Sequence, residues 1–403
     1  MAIWIVPRER AAGERRVAAT PETVKRLQTK GLQLVVEQGA GAAAGFSDGA
    51  YGEAGAQVLP PEALPWGEAR GVLAVQPPES SRLAALPAGA LLLGLLDPYG
   101  ARALVDHLQQ RQLTALALEL IPRISRAQAM DVLSSQASIA GYKAVLVAAA
   151  ALDRYLPMLM TAAGTIQPAR VLVLGAGVAG LQALATARRL GAVVVVSDVR
   201  PAVREQVESL GGRFLEPPAQ AERPGEEGGY ARQASEAFLE AQRLQLAEQL
   251  ALADVVITTA AVPGRSAPRL ISEAMLDRLR PGAVVVDLAV AQGGNCHGTV
   301  AGRTVERRGV QLIGADALPS SVPNHASALL ARNVAALLEH LHHGDGLQLN
   351  LEDPILQGCL LTHDGRCCRP DVVGLDPAPV ESRTGVPSTP STGVTLTPEG
   401  AER

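Results

Sequence analysis

Arg170-Val-Leu-Val-Leu-Gly-Ala-Gly-Val-Ala-Gly180, followed by Val193-Val-Val-Val-Ser-Asp198, decides the reading of this chain. It predicts an apolar strand, a turn with glycines at 175, 177 and 180, a helix, a second strand and a terminal acid. A dinucleotide site requires those parts in that order. Gly175 permits the tight turn, and Gly177 lets the backbone approach a pyrophosphate with no Cβ in the way. Gly180 lets the helix lie close on the strand, so that its free N–H groups and dipole face the phosphates. Asp198 falls where a carboxylate accepts hydrogen bonds from the adenosine ribose. A GxGxxG alone is a weak signal in a chain with 40 glycines. The flanking strands and the acid make this one strong.

The acid also bears on the cofactor. A carboxylate at the ribose favours NAD(H), because a 2′-phosphate there meets like charge. Arg200, two residues on, is the kind of group that accommodates that phosphate, but Asp198 ends the strand and is the better placed. The expectation is NAD(H).

A chain of 403 residues has room for two domains. Aromatics are only 2% of it, so the core must be built from Ala, Val and Leu. A net charge of −4 gives no basic face for nucleic acid. Apolar runs such as Ala88–Leu96 and Ala144–Leu152 fall short of the ~20 residues of a membrane span. The chain opens on a strand pattern, Ala2–Val6, rather than a signal peptide, which predicts a soluble intracellular protein. Cys359-x3-His363-x3-Cys367-Cys368 has a faint zinc-like spacing. The plainer reading is a β-hairpin turning at Asp364-Gly365, which puts those side chains on different faces. No metal is expected.

Strand patterns at Ala2–Val6, Leu32–Glu37, Gly71–Val75, Ala90–Leu95 and Leu113–Leu118 alternate with helices at Pro21–Lys30, Ser80–Leu86 and Ala101–Gln110. A long helical stretch, Ala127–Leu156, then leads into a second βαβ series from Arg170 to about Ile313. The stretch 216–230 is rich in Pro, Gly and charge, which predicts a flexible loop without helix or strand, acting as a lid with Tyr230. Ala328–His343 is helical again, and from Pro377 onward the composition predicts a disordered tail. The expectation is therefore an α/β protein of two Rossmann-like βαβ domains with parallel sheets and a cleft between them. The first domain is discontinuous, residues 1–133 plus 323–376; the second is 134–322, and the tail is 377–403.

Val6-Pro-Arg-Glu9 and Glu14-Arg-Arg-Val-Ala-Ala-Thr-Pro21 resemble the N-terminal signature shared by alanine dehydrogenases and proton-pumping NAD(P) transhydrogenases. The glycine turn, with Ala-Thr-Ala-Arg-Arg-Leu-Gly-Ala192 and Ser-Asp-Val-Arg200, resembles that family's second signature. An amino-acid dehydrogenase moves a proton as well as a hydride, and uses a lysine, a histidine and an aspartate for it. At the places the resemblance implies, this chain has Gln76, leucines at 95–96 and Ala291. Arg16 remains where that branch holds a substrate arginine.

Transhydrogenation accounts for the loss. Hydride passing directly between two nicotinamides requires no proton partner, only two C4 atoms held at roughly 3–3.5 Å with water excluded. Ile121–Ser135 is similar to the transhydrogenase loop that does this, which implies Arg123, Gln128, Asp131 and Ser134 as the polar groups at the nicotinamide and its ribose. Ile124, Ser125, Ala129 and Met130 would complete that wall. Read without the resemblance, the same residues are a helix N-terminus capped by Ser125, with Asp131 in solvent. The resemblance further implies Ala176, Gly177 and Val178 at the pyrophosphate and Asp198, Val199 and Arg200 at the adenosine ribose. Gly229, Gln242 and Ala261 would be outlying contacts, and Gly-Gly-Tyr230 resembles the family's mobile loop, whose tyrosine closes on bound NAD(H). It implies NAD(H) on this chain and NADP(H) on a partner β subunit, with proton translocation through a membrane-spanning subunit and this chain as a homodimer. An amino-acid dehydrogenase and a non-catalytic NAD(H)-sensing module are the alternatives.

Overall fold

Parallel strands buried on both faces read as unbroken apolar runs, and two groups of such runs each gather into a sheet. The computed structural model describes residues 2–217, 226–227, 230–231, 236–343 and 346–373. The first sheet has the order Arg366–Cys367, Leu360–His363, Thr114–Ala117, Leu91–Gly94, Ala69–Leu73, Ile3–Val6, Gln33–Glu37, Gln57–Leu59. Its pairs are parallel except those made by the last two strands in the chain. The second has the order Arg213–Leu215, Val193–Ser197, Arg170–Leu174, Val255–Thr258, Val284–Asp287, Val310–Gly314, Thr304–Arg307, with only the final pair antiparallel.

With few aromatics to spend, the first core places its largest side chain against its smallest residue. Trp4 is fully buried over Gly71 of the neighbouring strand, where any Cβ would run into the indole. Truncating such a tryptophan typically costs about 3–5 kcal/mol. The Thr20-Pro21 of the N-terminal signature has a local reason too. Thr20 and Thr23 close a reciprocal capping box, with Pro21 opening the helix Pro21–Gln28.

Helix Val132–Ala151 follows the first run of strands and is apolar on most faces, because elements of both cores pack around it. Gly141 lies so close to helix Val178–Arg189 that a Cβ there would overlap the Ala179 carbonyl oxygen. The chain then returns to the first core. Leu330, Val334, Leu337 and Leu338 of helix Pro323–Leu341 pack into it, and Leu360–His363 pairs antiparallel with Thr114–Ala117. The expected hairpin is present, with Asp364 and Gly365 both at positive φ in its turn.

Several elements differ from the expectation. The single helix Ala127–Leu156 is a 3-10 segment, Ser125–Met130, and a separate α-helix, Val132–Ala151. Asp131 (φ −72, ψ 88) breaks the two apart and caps the second. That helix is the one among the described residues long and apolar enough, by length and composition, to cross a membrane, which shorter apolar runs did not suggest. A third short strand, Gln57–Leu59, and a hairpin, Leu159–Thr161 with Gly164–Ile166, are additional. Glu226–Glu227 pairs antiparallel with Tyr230–Ala231, where no strand was expected. Residues 218–225 and 228–229 of the expected lid, and the tail from Pro377, lie outside the described residues.

Candidate functional site

Arg170–Leu174 sits between Val193–Ser197 and Val255–Thr258, so the turn that follows it opens where the strand order reverses. Open α/β sheets bind ligands at that point. Gly175 has φ +105, and a Cβ on it would strike Thr259 Oγ1. That hydroxyl reaches the carbonyls of Leu174 and Gly175, at 3.2 and 3.1 Å. At Gly180 a Cβ would overlap the Gly175 carbonyl oxygen, so this helix can seat only with glycine there. Gly177 differs from both: its φ is −78 and a Cβ would meet nothing within 4 Å. No protein neighbour requires glycine at 177, and the open space in front of it suits a ligand's close approach. Exposed Val178 begins the helix behind buried Ala176.

Asp198 closes the turn from the next strand. One carboxylate oxygen accepts the Ala176 N–H at 2.7 Å and an Arg200 guanidinium N–H at 3.0 Å. The other accepts the Arg200 backbone N–H at 2.9 Å and Nε–H at 3.0 Å. Val199 and Arg200 are half-buried beside it. Ala261 is exposed on the loop after Val255–Thr258. Buried Asn295 holds that loop by accepting from Ala260 N–H at 3.0 Å and donating to Ala260 and Pro268 carbonyls at 2.8 Å. Gln242 is nearly buried in helix Glu236–Leu250. Gly229 and the Tyr230 side chain lie outside the described residues.

The polar segment expected at the nicotinamide precedes the long helix. Arg123, Ile124, Ser125, Gln128 and Ala129 are exposed, while Met130 is buried beneath them. Ser125 caps nothing; Asp131 does, accepting the Ser134 N–H at 2.9 Å and its hydroxyl at 2.6 Å. The capping reading therefore holds for Asp131 rather than Ser125. Two residues that the sequence did not single out hold the segment in place. Asn333 donates to the Ala129 carbonyl at 2.8 Å and accepts the Ser135 hydroxyl at 2.7 Å. Asp353 pairs with Arg126 at 3.1 Å and with His340. A polar residue on the buried stripe of helix Pro323–Leu341 was the available signal for Asn333. Across the helix, Ser138 reaches Gln182 at 3.4 Å, which ties this segment's helix to the glycine-turn helix.

Of the three residues expected in place of an amino-acid dehydrogenase's proton-handling groups, Gln76 is half-buried, Leu96 is fully buried and Ala291 is exposed. Arg16 remains but is engaged, by Glu14 at 2.6 and 2.8 Å and by Gln136 at 3.0 Å. Burial pushes the Glu14 carboxyl up, yet the bonds and charge of Arg16 outweigh it and bring it down to about 2. Nearby Glu9 receives the Val75 and Gln76 N–H groups, at 2.6 and 3.1 Å, but burial prevails and raises it to about 7. Asp287 is fully buried and structural, accepting from Thr258, Ala289, Cys296 and Thr299. Among the described residues, no cluster of His, Cys, Asp or Glu could hold a metal ion.

Residues 5–140 match the model for the N-terminal domain of alanine dehydrogenase/PNT, and residues 144–370 match the model for its C-terminal domain. The chain belongs to the alanine dehydrogenase/PNT family. Within this family it is 45% identical to an NAD(P) transhydrogenase subunit alpha polypeptide from Rhodospirillum rubrum, over 92% of this chain and 98% of that one. A solved transhydrogenase from Sinorhizobium meliloti superposes with a TM-score of 0.82 at 44% identity, covering 91% of this chain and 99% of the other. Alanine dehydrogenase from Mycobacterium tuberculosis is more distant, at 29% identity over 89% of this chain and 93% of its own length. Both βαβ units are thus those of the alanine dehydrogenase and transhydrogenase fold.

Proposed function

We propose that this chain is the NAD(H)-binding subunit of a proton-translocating NAD(P) transhydrogenase. Its task is to present NAD(H) for direct hydride exchange with NADP(H) held by a partner β subunit. The observation that carries the reading is the set Gln76, Leu96 and Ala291, whose side chains cannot move a proton, together with the polar segment at 123–134. Similarity to transhydrogenase subunits supports the same choice.

The glycine turn fits a dinucleotide: Gly177 leaves room in front of it, and the helix from Val178 offers its first N–H groups. When bound, the nicotinamide supplies the hydride chemistry. Ala176, Gly177 and Val178 bind the pyrophosphate through their backbone, and Asp198 and Arg200 receive the adenosine ribose. Arg123 orients the carboxamide, Asp131 and Ser134 hold the nicotinamide ribose, and Gln128 reaches toward the partner's nucleotide. None of these groups has to exchange a proton; they position the two rings and exclude water. In this reading a homodimer of the chain sits at the cytoplasmic face, held there by a membrane-spanning partner that conducts the protons.

The test mixes the purified chain with an NADP(H)-binding transhydrogenase component and follows reduction of an NAD analogue by NADPH. Transfer that requires both proteins is expected. Alanine or pyruvate turnover by the chain alone, without transhydrogenation in the mixture, would end the reading.

A further inference from the structure

The first sheet has a strand-order reversal of its own. Ile3–Val6 lies between Gln33–Glu37 and Ala69–Leu73, so the segments that follow Val6 and Leu73 part at its carboxyl edge. They wall a cavity of about 260 Å³, to which Arg8, Arg10, Arg82, Glu9, Glu79 and Gln76 contribute. No glycine fingerprint marks this point; guanidinium groups do.

The polar groups there are unequally matched. Glu37, with no exposed surface, accepts one N–H from Arg10 at 2.7 Å, one from Arg82 at 2.8 Å and the Arg8 backbone N–H at 3.0 Å. Arg82 is further fixed with its guanidinium carbon 5.3 Å from the centre of the Trp66 ring. The Arg8 guanidinium has no partner among the described residues, and both oxygens of Glu9 are occupied by backbone N–H groups. A guanidinium carries five N–H donors, so Arg10 and Arg82 keep most of theirs after serving Glu37. The cavity therefore holds more guanidinium N–H donors than acceptors, exposed Glu79 being the one lining acid whose oxygens no described donor takes, and two of its three arginines are already oriented.

We propose that this cavity is a second ligand site, separate from the glycine turn, which takes a tetrahedral oxyanion of the phosphate class. Several guanidinium groups converging on one cavity suit an anion with more than two acceptor oxygens, and forked N–H donors match phosphate oxygens in pairs. The inference does not depend on the transhydrogenase reading: it concerns a different sheet from the glycine turn, and Gln76, the one residue common to both arguments, is not among the groups proposed to hold the anion.

Calorimetric titration of inorganic phosphate into the full chain tests it, with NADH present in excess so that the glycine turn is filled. Saturable binding of one phosphate per chain is expected. Arg8→Ala, whose backbone bond to Glu37 survives, should weaken it about tenfold or more, the loss of a charge-assisted contact. Arg82→Lys, which keeps the charge but loses the fork, should weaken it too, whereas Arg15→Ala, exposed and outside the cavity, should not. Glycerol 3-phosphate in a parallel titration distinguishes a phosphate ester, if it binds more tightly, from free phosphate, if it does not. Absence of saturable binding, or equal weakening by Arg15→Ala and Arg8→Ala, would overturn the proposal. If NADH itself failed to bind, the Arg8 dependence would still decide this site while the reading of the glycine turn fell.

Discussion

Asp198 and Arg200 form a closed, two-pronged pair: each carboxylate oxygen takes one side-chain N–H of the arginine at 3.0 Å. The acid thereby does two jobs. On the proposed reading it repels a 2′-phosphate directly, and it engages Arg200, a neighbouring cation that would otherwise attract such a phosphate. Its bond to Ala176 N–H also locks the glycine turn to the neighbouring strand.

Asp198→Asn should therefore act through Arg200. The amide keeps an acceptor for Ala176 N–H, but releases the guanidinium toward a 2′-phosphate. The preference for NAD(H) over NADP(H) should fall by about one to two orders of magnitude, in line with couplings measured for close charge pairs. Arg200→Ala in the same background should restore much of the preference. Calorimetric Kd values for both cofactors on the single and double variants check this. Tighter NADPH than NADH binding by the unmodified chain would sink the assignment.

Gln128 is exposed within the 3-10 segment Ser125–Met130, and its side chain makes no hydrogen bond among the described residues. Gln128→Asn should slow hydride transfer by roughly 10²-fold, the cost of misplacing a reacting group by ~1 Å. The affinity for NADH should stay nearly unchanged, because the interaction is expressed in the transition state. Single-turnover transfer rates beside NADH Kd values read the two effects separately; a loss confined to Kd would assign Gln128 to ground-state binding.

Asn333 bridges the Ala129 carbonyl and the Ser135 hydroxyl, one on each side of the break at Asp131. Asn333→Ala removes both bonds, and each costs a net ~0.5–1.5 kcal/mol, since Ala129 is exposed and the Ser135 hydroxyl keeps the Val132 carbonyl at 3.0 Å. Urea unfolding should show a loss of that size, and transfer should slow further than NADH binding weakens. Unchanged stability would mean that the segment holds its shape without the bridge.

These residues also mark the limit of what could be read in advance. The sheets were legible because buried parallel strands write themselves as apolar runs, and the glycine turn because Gly175 and Gly180 have no substitute sterically. The Asp-Gly hairpin was legible for a similar reason. The helix break was not. Propensity runs unbroken through Ala127–Leu156, and the break depends on a cap at Asp131 and on Asn333, distant in sequence. Three-residue strands such as Gln57–Leu59 carry too little pattern to register. The arginine-lined cavity was hidden because Glu37 and Arg82 meet only through the sheet order.

Two buried carboxyls set the expected pH dependence. Burial raises Glu9 and Glu119 from 4.5 to about 7, Glu119 having one oxygen sealed from solvent without a partner. Asp97, beside Glu119, is raised by burial as well. A carboxyl whose folded pKa lies above its unfolded value holds its proton more tightly when folded. Its contribution is complete below about 4.5 and is lost as pH rises through about 7. Each site could account for at most on the order of 3 kcal/mol. Glu14 works in the opposite sense but outside this window: its stabilisation is intact above 4.5 and fades only toward about 2. Stability from urea unfolding should therefore decline from about pH 5 to pH 8. Glu119→Gln cannot ionise and keeps an acceptor for the Asp97 N–H, so it should flatten part of that decline. The quantity to compare is the slope against pH, since a buried amide adds a constant cost of its own. An undiminished slope in the Glu119→Gln variant would mean that Glu119 is ionised in the folded protein across the whole range.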